Sequence, residues 1–431
     1  MKKPFIIALS ALLSYGSLAV LPVTSQVQAA EESDSGASNK RVRRSQTMRP
    51  VIYKKLDAAR ALADEKKYDE ALDDLKSVEK IRRNSYEQAM TFNMYAYVYF
   101  NKEDYAGAIN AYEQVVAIKN IPESLEQTTL YSLAKLHLIQ EDYQASLNTL
   151  NKWFAMVEKP GPEAYILRAQ MQFQLEQYSK ALPDVKQAIA MVKEQGNQPK
   201  ENWLMLERAV YYQNKDFKSL ARCLQDLATL YPKPQYWTQL AAVYSELSKP
   251  LKELSTLETA YEQGYLTRES DLINLAYALM GQEIPYKAAT VLEKGLQDDV
   301  IKPTAKNLST LGDAWMLAKE YDKAIVAMTK AAEESQKGSD FFKLAQIHTE
   351  RQEWKVALEN VNAALQDKDF TKAASAYVLK GNILFNLNDL NRAKQSFAKA
   401  EKYPETQKAA SQWLAYVEDE QKRREYMASV N

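Results

Sequence analysis

The sequence predicts an all-α protein built as a solenoid of about ten stacked helix pairs, closed at its C-terminal end by a single capping helix. Three observations carry this expectation. A chain of 431 residues is too long for one ordinary core. It holds only 11 Gly and 14 Pro among abundant Ala, Leu, Lys, Glu and Gln, the makeup of helices joined by short turns. Pairs of small residues twelve positions apart recur along most of its length.

The N-terminus reads as an export signal, residues 1–29. Lys2 and Lys3 precede an apolar stretch from Phe5 to about Leu21, broken by Ser10, Ser14 and Ser17, and Val27-Gln28-Ala29 offers a small-residue cleavage site, so cleavage after Ala29 or Ala30 is expected. The stretch is short and serine-bearing for a retained anchor, and no other window is apolar enough to cross a bilayer, so no integral span is expected after cleavage. Residues 30–50 turn polar and then basic, with Ser33, Ser35, Gly36 and Ser38 followed by Lys40, Arg41, Arg43, Arg44 and Arg49. Such a segment cannot bury a core and is expected to be a disordered linker. Its charge suits weak contact with acidic lipid heads or an acidic partner, against the default of a solvated tail.

Removing Lys2 and Lys3 from 56 basic side chains leaves 54 against 56 acidic ones, a net charge of −2 for the mature chain. Nucleic acid is a poor partner for that balance, since phosphate binding needs a surplus of Lys and Arg. Cys223 is the sole cysteine, which excludes an internal disulfide and leaves no thiol after the signal to carry a lipid. The bacterial periplasm fits these features best.

From Tyr53 onward the frame is Ala59 and Ala71, Ala96 and Ala108, Ala134 and Ser146, Ala169 and Ala181, Ala276 and Ala288, Gly312 and Ala324, Ala345 and Ala357, and Gly381 and Ala393. Two units keep it imperfectly, with Arg208 and Leu220 in one and Ala241 and Glu253 in the other. Antiparallel helices approach closely only where side chains are small, so these residues mark helix crossings. Each pair leaves one apolar face open that only the next pair can bury, which makes stacking obligatory. Three residues before the second marker stand Tyr68, Tyr105, Tyr143, Tyr178, Phe217, Tyr321 and Trp354, with Pro250, Pro285 and Leu390 in that place elsewhere.

The second marker recurs every 33 to 39 residues, the period of the tetratricopeptide repeat, and the stretch around Gly312, "LSTLGDAWMLAKEYDKAIVAMTKAA", carries Leu308, Leu311, Gly312, Trp315, Tyr321, Ala324, Met328 and Ala331 in that family's places. Trp237, Leu240, Ala241 and Tyr244 similarly fit its first helix. The mature chain thus resembles tetratricopeptide-repeat proteins over nearly its whole length, which implies a right-handed superhelix. Residues 51–200 form an N-terminal block of about four repeats and 201–404 a C-terminal block of about six. A weak articulation is expected near Gln195 to Glu201, and residues 405–431 supply the capping helix and tail.

No catalytic constellation is expected, and no metal or cofactor site. His137 and His348 fall at the repeat place of Tyr99, Leu279 and Trp315, and so belong to packing, while Cys223 lies beside Leu224 as a small apolar residue. Acidic residues are interleaved with Lys and Arg at helical spacing, as on a solvated face. The family resemblance implies instead that the places one after and three before the first crossing residue line a concave groove. Here these are Asn93, Tyr97, Tyr131, Lys135, Ile166, Gln170, Thr238, Ile273, Tyr277, Phe342, Gln346 and Asn382. An aromatic and amide-rich lining suits a peptide partner. Asn93 and Lys135 lack the remainder of the clamp with which some members grip a terminal carboxylate.

The expected function is a periplasmic adaptor that holds a segment of a cell-envelope protein. In general character the chain resembles exported tetratricopeptide proteins that accompany TonB-type energy transduction. Two alternatives stay open: an assembly factor for outer-membrane proteins or exported polysaccharide, and a helical support for a peptidoglycan-acting enzyme, for which the repeats leave no room for a separate catalytic domain.

Overall fold

The structure, a computed structural model, describes residues 47–430, which contain 21 α-helices and no strand. The export signal and residues 30–46 of the basic linker lie outside the described residues. The first helices of successive pairs are α1 (Pro50–Asp64), α3 (Ser85–Asn101), α5 (Glu123–Ile139), α7 (Pro162–Gln174), α9 (Glu201–Gln213), α11 (Pro234–Glu246), α13 (Glu269–Gly281), α15 (Ala305–Leu317), α17 (Gly338–Glu350) and α19 (Ala373–Asn386). Their partners are α2 (Tyr68–Glu79), α4 (Tyr105–Ala117), α6 (Tyr143–Met156), α8 (Tyr178–Glu194), α10 (Phe217–Leu230), α12 (Pro250–Glu262), α14 (Pro285–Gln297), α16 (Tyr321–Ser335), α18 (Trp354–Gln366) and α20 (Leu390–Ala400), and α21 (Gln407–Val430) follows alone.

The chain divides into two compact units whose boundary falls inside α10, between Cys223 and Leu224. Within each unit helices pack on their neighbours in sequence. In the first unit one core runs from Ile52 and Leu56 on α1 to Leu133 and Leu136 on α5, and a second joins Ala134, Leu147, Leu150, Leu167 and Met171. In the second unit a continuous core runs from Ala241 to Ile347, including Trp315 and Met328. Each fully buried Leu among them contributes about 2 kcal/mol, so the stack is held by many modest increments.

The sequence frame maps onto this architecture residue by residue. Ala71, Ala108, Ser146, Ala181, Ala288, Ala324, Ala357 and Ala393 are each 0% exposed at a helix crossing. Ser146 satisfies its buried hydroxyl by donating to the Ala134 carbonyl at 2.7 Å. At Gly381 the approach is close enough that a Cβ would sit 2.5 Å from a ring carbon of Phe397. The ten residues in the aromatic-or-proline place, from Tyr68 to Leu390, are the first residues of the ten second helices.

The turn inside each pair is constant. Three residues separate the helices in all ten cases, and the middle one is a non-glycine in the left-handed region: Lys66, Glu103, Glu141, Glu176, Lys215, Ser248, Glu283, Lys319, Gln352 and Asn388, with φ between 53° and 65°. The next N–H then reaches back over the helix end, as Asp104 does to the Tyr99 carbonyl and Glu320 to that of Trp315, both at 2.9 Å, closing a Schellman turn. Asp104, Asp142 and Asp389 cap the following helices by accepting from the N–H groups of Gly107, Ala145 and Arg392. Connections between pairs vary instead from two to seven residues. The segment after α8 closes on Gly196, φ 76°, whose N–H donates to the Lys193 carbonyl.

The last residues of the basic segment are tied to the first helices. Arg49 is ordered, and its backbone N–H, Nε and Nη2 all donate to the carboxylate of Glu87, at 3.0, 2.9 and 2.8 Å. Glu87 is fully buried, also completes a capping box with Asn84 at the start of α3, and is held down to about pH 2 in its titration, chiefly by the Arg49 side chain. A local charge pattern alone could not reveal a partner 38 residues away.

At the other end α21 packs on α20, as expected of a capping helix. Ala410 and Val417 are fully buried, and Trp413 stacks on Phe397 with ring planes 3° apart and centroids 5.4 Å apart.

Candidate functional site

The first helices of the first unit carry the expected groove places on one face. Tyr97 on α3 is half-buried and donates its hydroxyl to Asp64 on α1; burial, and next Asp64, push it above the usual tyrosine range. Asn93, one turn earlier on the same helix, is half-buried beside it in sequence register. On α5 the structure brings two expected residues together: the Lys135 ammonium lies 4.7 Å from the centroid of the Tyr131 ring. Burial pushes Lys135 below the normal lysine range and Tyr131 up to about 12. Tyr131 also packs on Trp153, centroids 5.0 Å apart, so it is fixed from behind. Gln170 on α7 is half-buried, whereas Ile166, in the equivalent earlier place, is 5% exposed and belongs to the core.

In the second unit an open cleft of about 750 Å³ lies among α11, α12 and α13. Tyr277, 48% exposed, stands on its wall with Thr238, and its hydroxyl is 3.5 Å from that of Thr310 on α15. The rest of the lining includes Ser245, Glu246, Glu253, Asp271, Asn274 and Gln282 over a floor of Ala241 and Leu257. Asp271 is held by Arg268, whose Nε and Nη2 each donate at 2.9 Å. Tyrosine, hydroxyl, amide and carboxylate groups around a small apolar floor can grip a polypeptide segment, but include no nucleophile paired with a base.

Further along, Gln346 on α17 is exposed, and Asn382 on α19 is half-buried with its Oδ1 enclosed and without a hydrogen-bond partner. Phe342 corrects the expectation. It is 6% exposed in the core of α17–α19, with Phe370 from the following connection 5.5 Å away, centroid to centroid. Ile273 is half-buried against the main core.

A further polar cluster lies outside the expected groove residues. Ser309 and Asp313 occupy the two groove places of α15. Lys343 on α17 donates to Ser309 Oγ at 2.9 Å and to Asp313 Oδ2 at 2.6 Å, while Ser309 donates to Asp340 Oδ1 at 3.0 Å. Ser335 completes the chain by donating to the other Asp340 oxygen at 2.6 Å. Burial pushes the Asp313 carboxyl up, against the pull of Lys343. These contacts tie α15 to α17 across the pair boundary. The repeat frame itself pointed to Ser309 and Asp313.

The histidines sit in packing positions. His348 is 9% exposed with Nδ1 2.6 Å from Glu353 Oε2, and His137 is half-buried on α5. Cys223 is buried and its Sγ lies 3.3 Å from the Leu204 carbonyl oxygen. Among the described residues no group of three or more His, Cys, Asp or Glu is arranged to hold a metal ion, and no helix is long and apolar enough to cross a membrane.

No curated protein matches the chain in sequence. Similar solved structures include the Cut9-Hcn1 hetero-tetramer of the APC/C, 13% identical with TM-score 0.33 over 85% of this chain and 83% of that one. A tetratricopeptide repeat protein from Parabacteroides merdae is 14% identical with TM-score 0.35, covering 65% of this chain and 99% of its own. YrrB, described as a tetratricopeptide protein with an unusual peptide-binding site, is 13% identical with TM-score 0.36, covering 48% and 96% respectively. The family model of the tetratricopeptide repeat matches residues 91–121 and 374–406, which fall on the helix pairs α3–α4 and α19–α20. With those two segments matched and the same three-residue left-handed turn inside every pair, the chain is a stack of helix pairs that carries tetratricopeptide repeats at α3–α4 and α19–α20.

Proposed function

We propose that this protein is a non-catalytic scaffold that holds an extended or helical segment of a partner protein against the exposed faces of its first helices. The observation that carries the reading is the contrast within each pair. In eight of the ten pairs the second crossing residue is small and sealed, while the places beside the first crossing residues hold Tyr97, Lys135, Gln170, Tyr277 and Gln346, side chains with apolar bodies and polar tips left accessible. These side chains keep part of their surface open to a ligand while some of them also touch the neighbouring helix.

The export signal read in residues 1–29 supports a periplasmic site of action, with a segment of an envelope protein as the partner and TonB-type transport as the process it serves. Cross-linking in envelope fractions, followed by identification of captured chains, tests this. Recovery of inner-membrane energy-transducing proteins is the expected result. Recovery of outer-membrane or polysaccharide assembly machinery would replace the TonB assignment, and a chain that stays in the cytoplasm would overturn the periplasmic one.

A further inference from the structure

Pair α11–α12 departs from the frame in one informative way. Where eight other second helices place Ala or Ser, 0% exposed at the crossing, α12 places Glu253. A carboxylate cannot enter a dry crossing without a partner, because desolvation costs far more than packing returns. Ala241 on α11 and Glu253 on α12, the two crossing markers, both line the cleft, and Glu253 keeps access to water.

The lining has one sign. Glu246, Glu253 and Asp271 face the cleft, and no lysine or arginine does. Asp271 is engaged by Arg268, but the Glu246 and Glu253 carboxylates make no hydrogen bond or ion pair among the described residues. The exposed ring of Tyr277 stands on the same wall, with Thr238 and Asn274 as further polar groups. Two unpaired carboxylates beside an aromatic face in a cleft of about 750 Å³ are complementary to a cationic side chain, which would pair with the acids and lay its stem or guanidinium on the tyrosine. A bare metal ion does not fit as well, since no three acidic, His or Cys side chains converge among the described residues.

We infer that the cleft between α11, α12 and α13 is a recognition site for a lysine or arginine side chain of the bound segment, with Glu253 as its specificity-determining residue. The inference deepens the scaffold reading and rests on it. It also turns the one repeat that carries Glu at the second marker into the place where the stack selects its ligand.

The test uses the whole mature chain and three fluorescein-labelled nonapeptides of repeating Lys-Gly-Tyr, Gln-Gly-Tyr and Glu-Gly-Tyr, with binding followed by fluorescence anisotropy at low and high salt. The lysine peptide is expected to bind about tenfold more tightly than the glutamine peptide, with the preference shrinking as salt rises. Glu253→Gln together with Glu246→Gln, near-isosteric changes on accessible side chains, should abolish that preference while leaving the circular dichroism spectrum unchanged. Glu253→Ala restores the small residue and should abolish the preference while raising the melting temperature. Equal binding of the lysine and glutamine peptides, or a preference that survives the double variant, overturns the assignment. Failure here beside successful partner capture would remove only the cationic subsite, whereas peptide discrimination without any captured partner would count against the scaffold reading alone.

Discussion

Gly381→Ala is the sharpest test of how the stack is closed at its C-terminal end. In an ordinary helix interior this change stabilises by about 1 kcal/mol, because glycine gives up more backbone freedom. At position 381 the added methyl would lie 2.5 to 2.7 Å from three ring carbons of Phe397. That ring is fully buried, and Trp413 is stacked flat behind it at 5.4 Å, so it has little room to retreat. Overpacking of this kind costs about 1 to 3 kcal/mol, at the upper end where the ring cannot retreat, which leaves a net loss of up to about 2 kcal/mol. Gly312→Ala is the control. There the nearest atom, at 2.6 Å, is the terminal methyl of Met328, which can swing aside, and the net effect should lie within about 1 kcal/mol of zero. Urea unfolding followed by tryptophan emission and by far-ultraviolet dichroism would compare the two, with loss of Trp413 burial preceding loss of helix in the Gly381 variant. If Gly381→Ala unfolds with or above the wild-type chain, or costs no more than Gly312→Ala, the account of this crossing is wrong.

Glu87 makes the first unit sensitive to acid: its carboxyl is depressed from an ordinary 4.5 to about 2, so its contribution is complete above pH 4.5 and is lost as pH falls toward 2. The full shift would be worth about 3 kcal/mol, and screening around the half-exposed Arg49 reduces this to about 1 to 2 kcal/mol. Melting curves between pH 7 and pH 2.5 should therefore fall less steeply for Glu87→Gln than for the wild type. Lys319→Gly, in a left-handed turn with φ 60°, should stabilise by about 0.5 to 1 kcal/mol and Lys319→Val should destabilise by at least as much, read from thermal midpoints. Tyr97→Ala combined with Gln170→Ala should weaken cross-linking to the captured partner severalfold with helical content retained; unchanged capture would move the binding face elsewhere.

The architecture was readable because its determinants are local and periodic. Small residues twelve apart marked eight of the crossings, and an aromatic or proline three before the second marker gave the first residue of nine of the ten second helices, with Leu390 in that place on the other. Depth was less readable. Phe342 sits in the right register for a groove, but Phe370 from the next connection covers it, and a repeat frame carries no information about irregular connections. Arg49 looked like one more charge in a basic tail until Glu87 supplied its partner from the next pair. Glu253 was visible as a broken rule, but the cleft it shares with Glu246 and Tyr277 depends on how α11 and α13 pack around it, which the repeat frame does not encode.

The contrast between constant turns within pairs and variable connections between them sets where this chain can be edited. Adding or removing one residue in a three-residue turn would rotate the following helix by about 100° and carry its sealed face toward water. The connection from Asp298 to Thr304 already spans seven residues, and lengthening it by several more would raise the closure entropy by well under 1 kcal/mol. Epitopes, labels or whole grafted repeats belong in such joints. A lineage of these proteins can therefore lengthen, shorten or exchange pairs as modules while the hairpin that defines each module stays the same size.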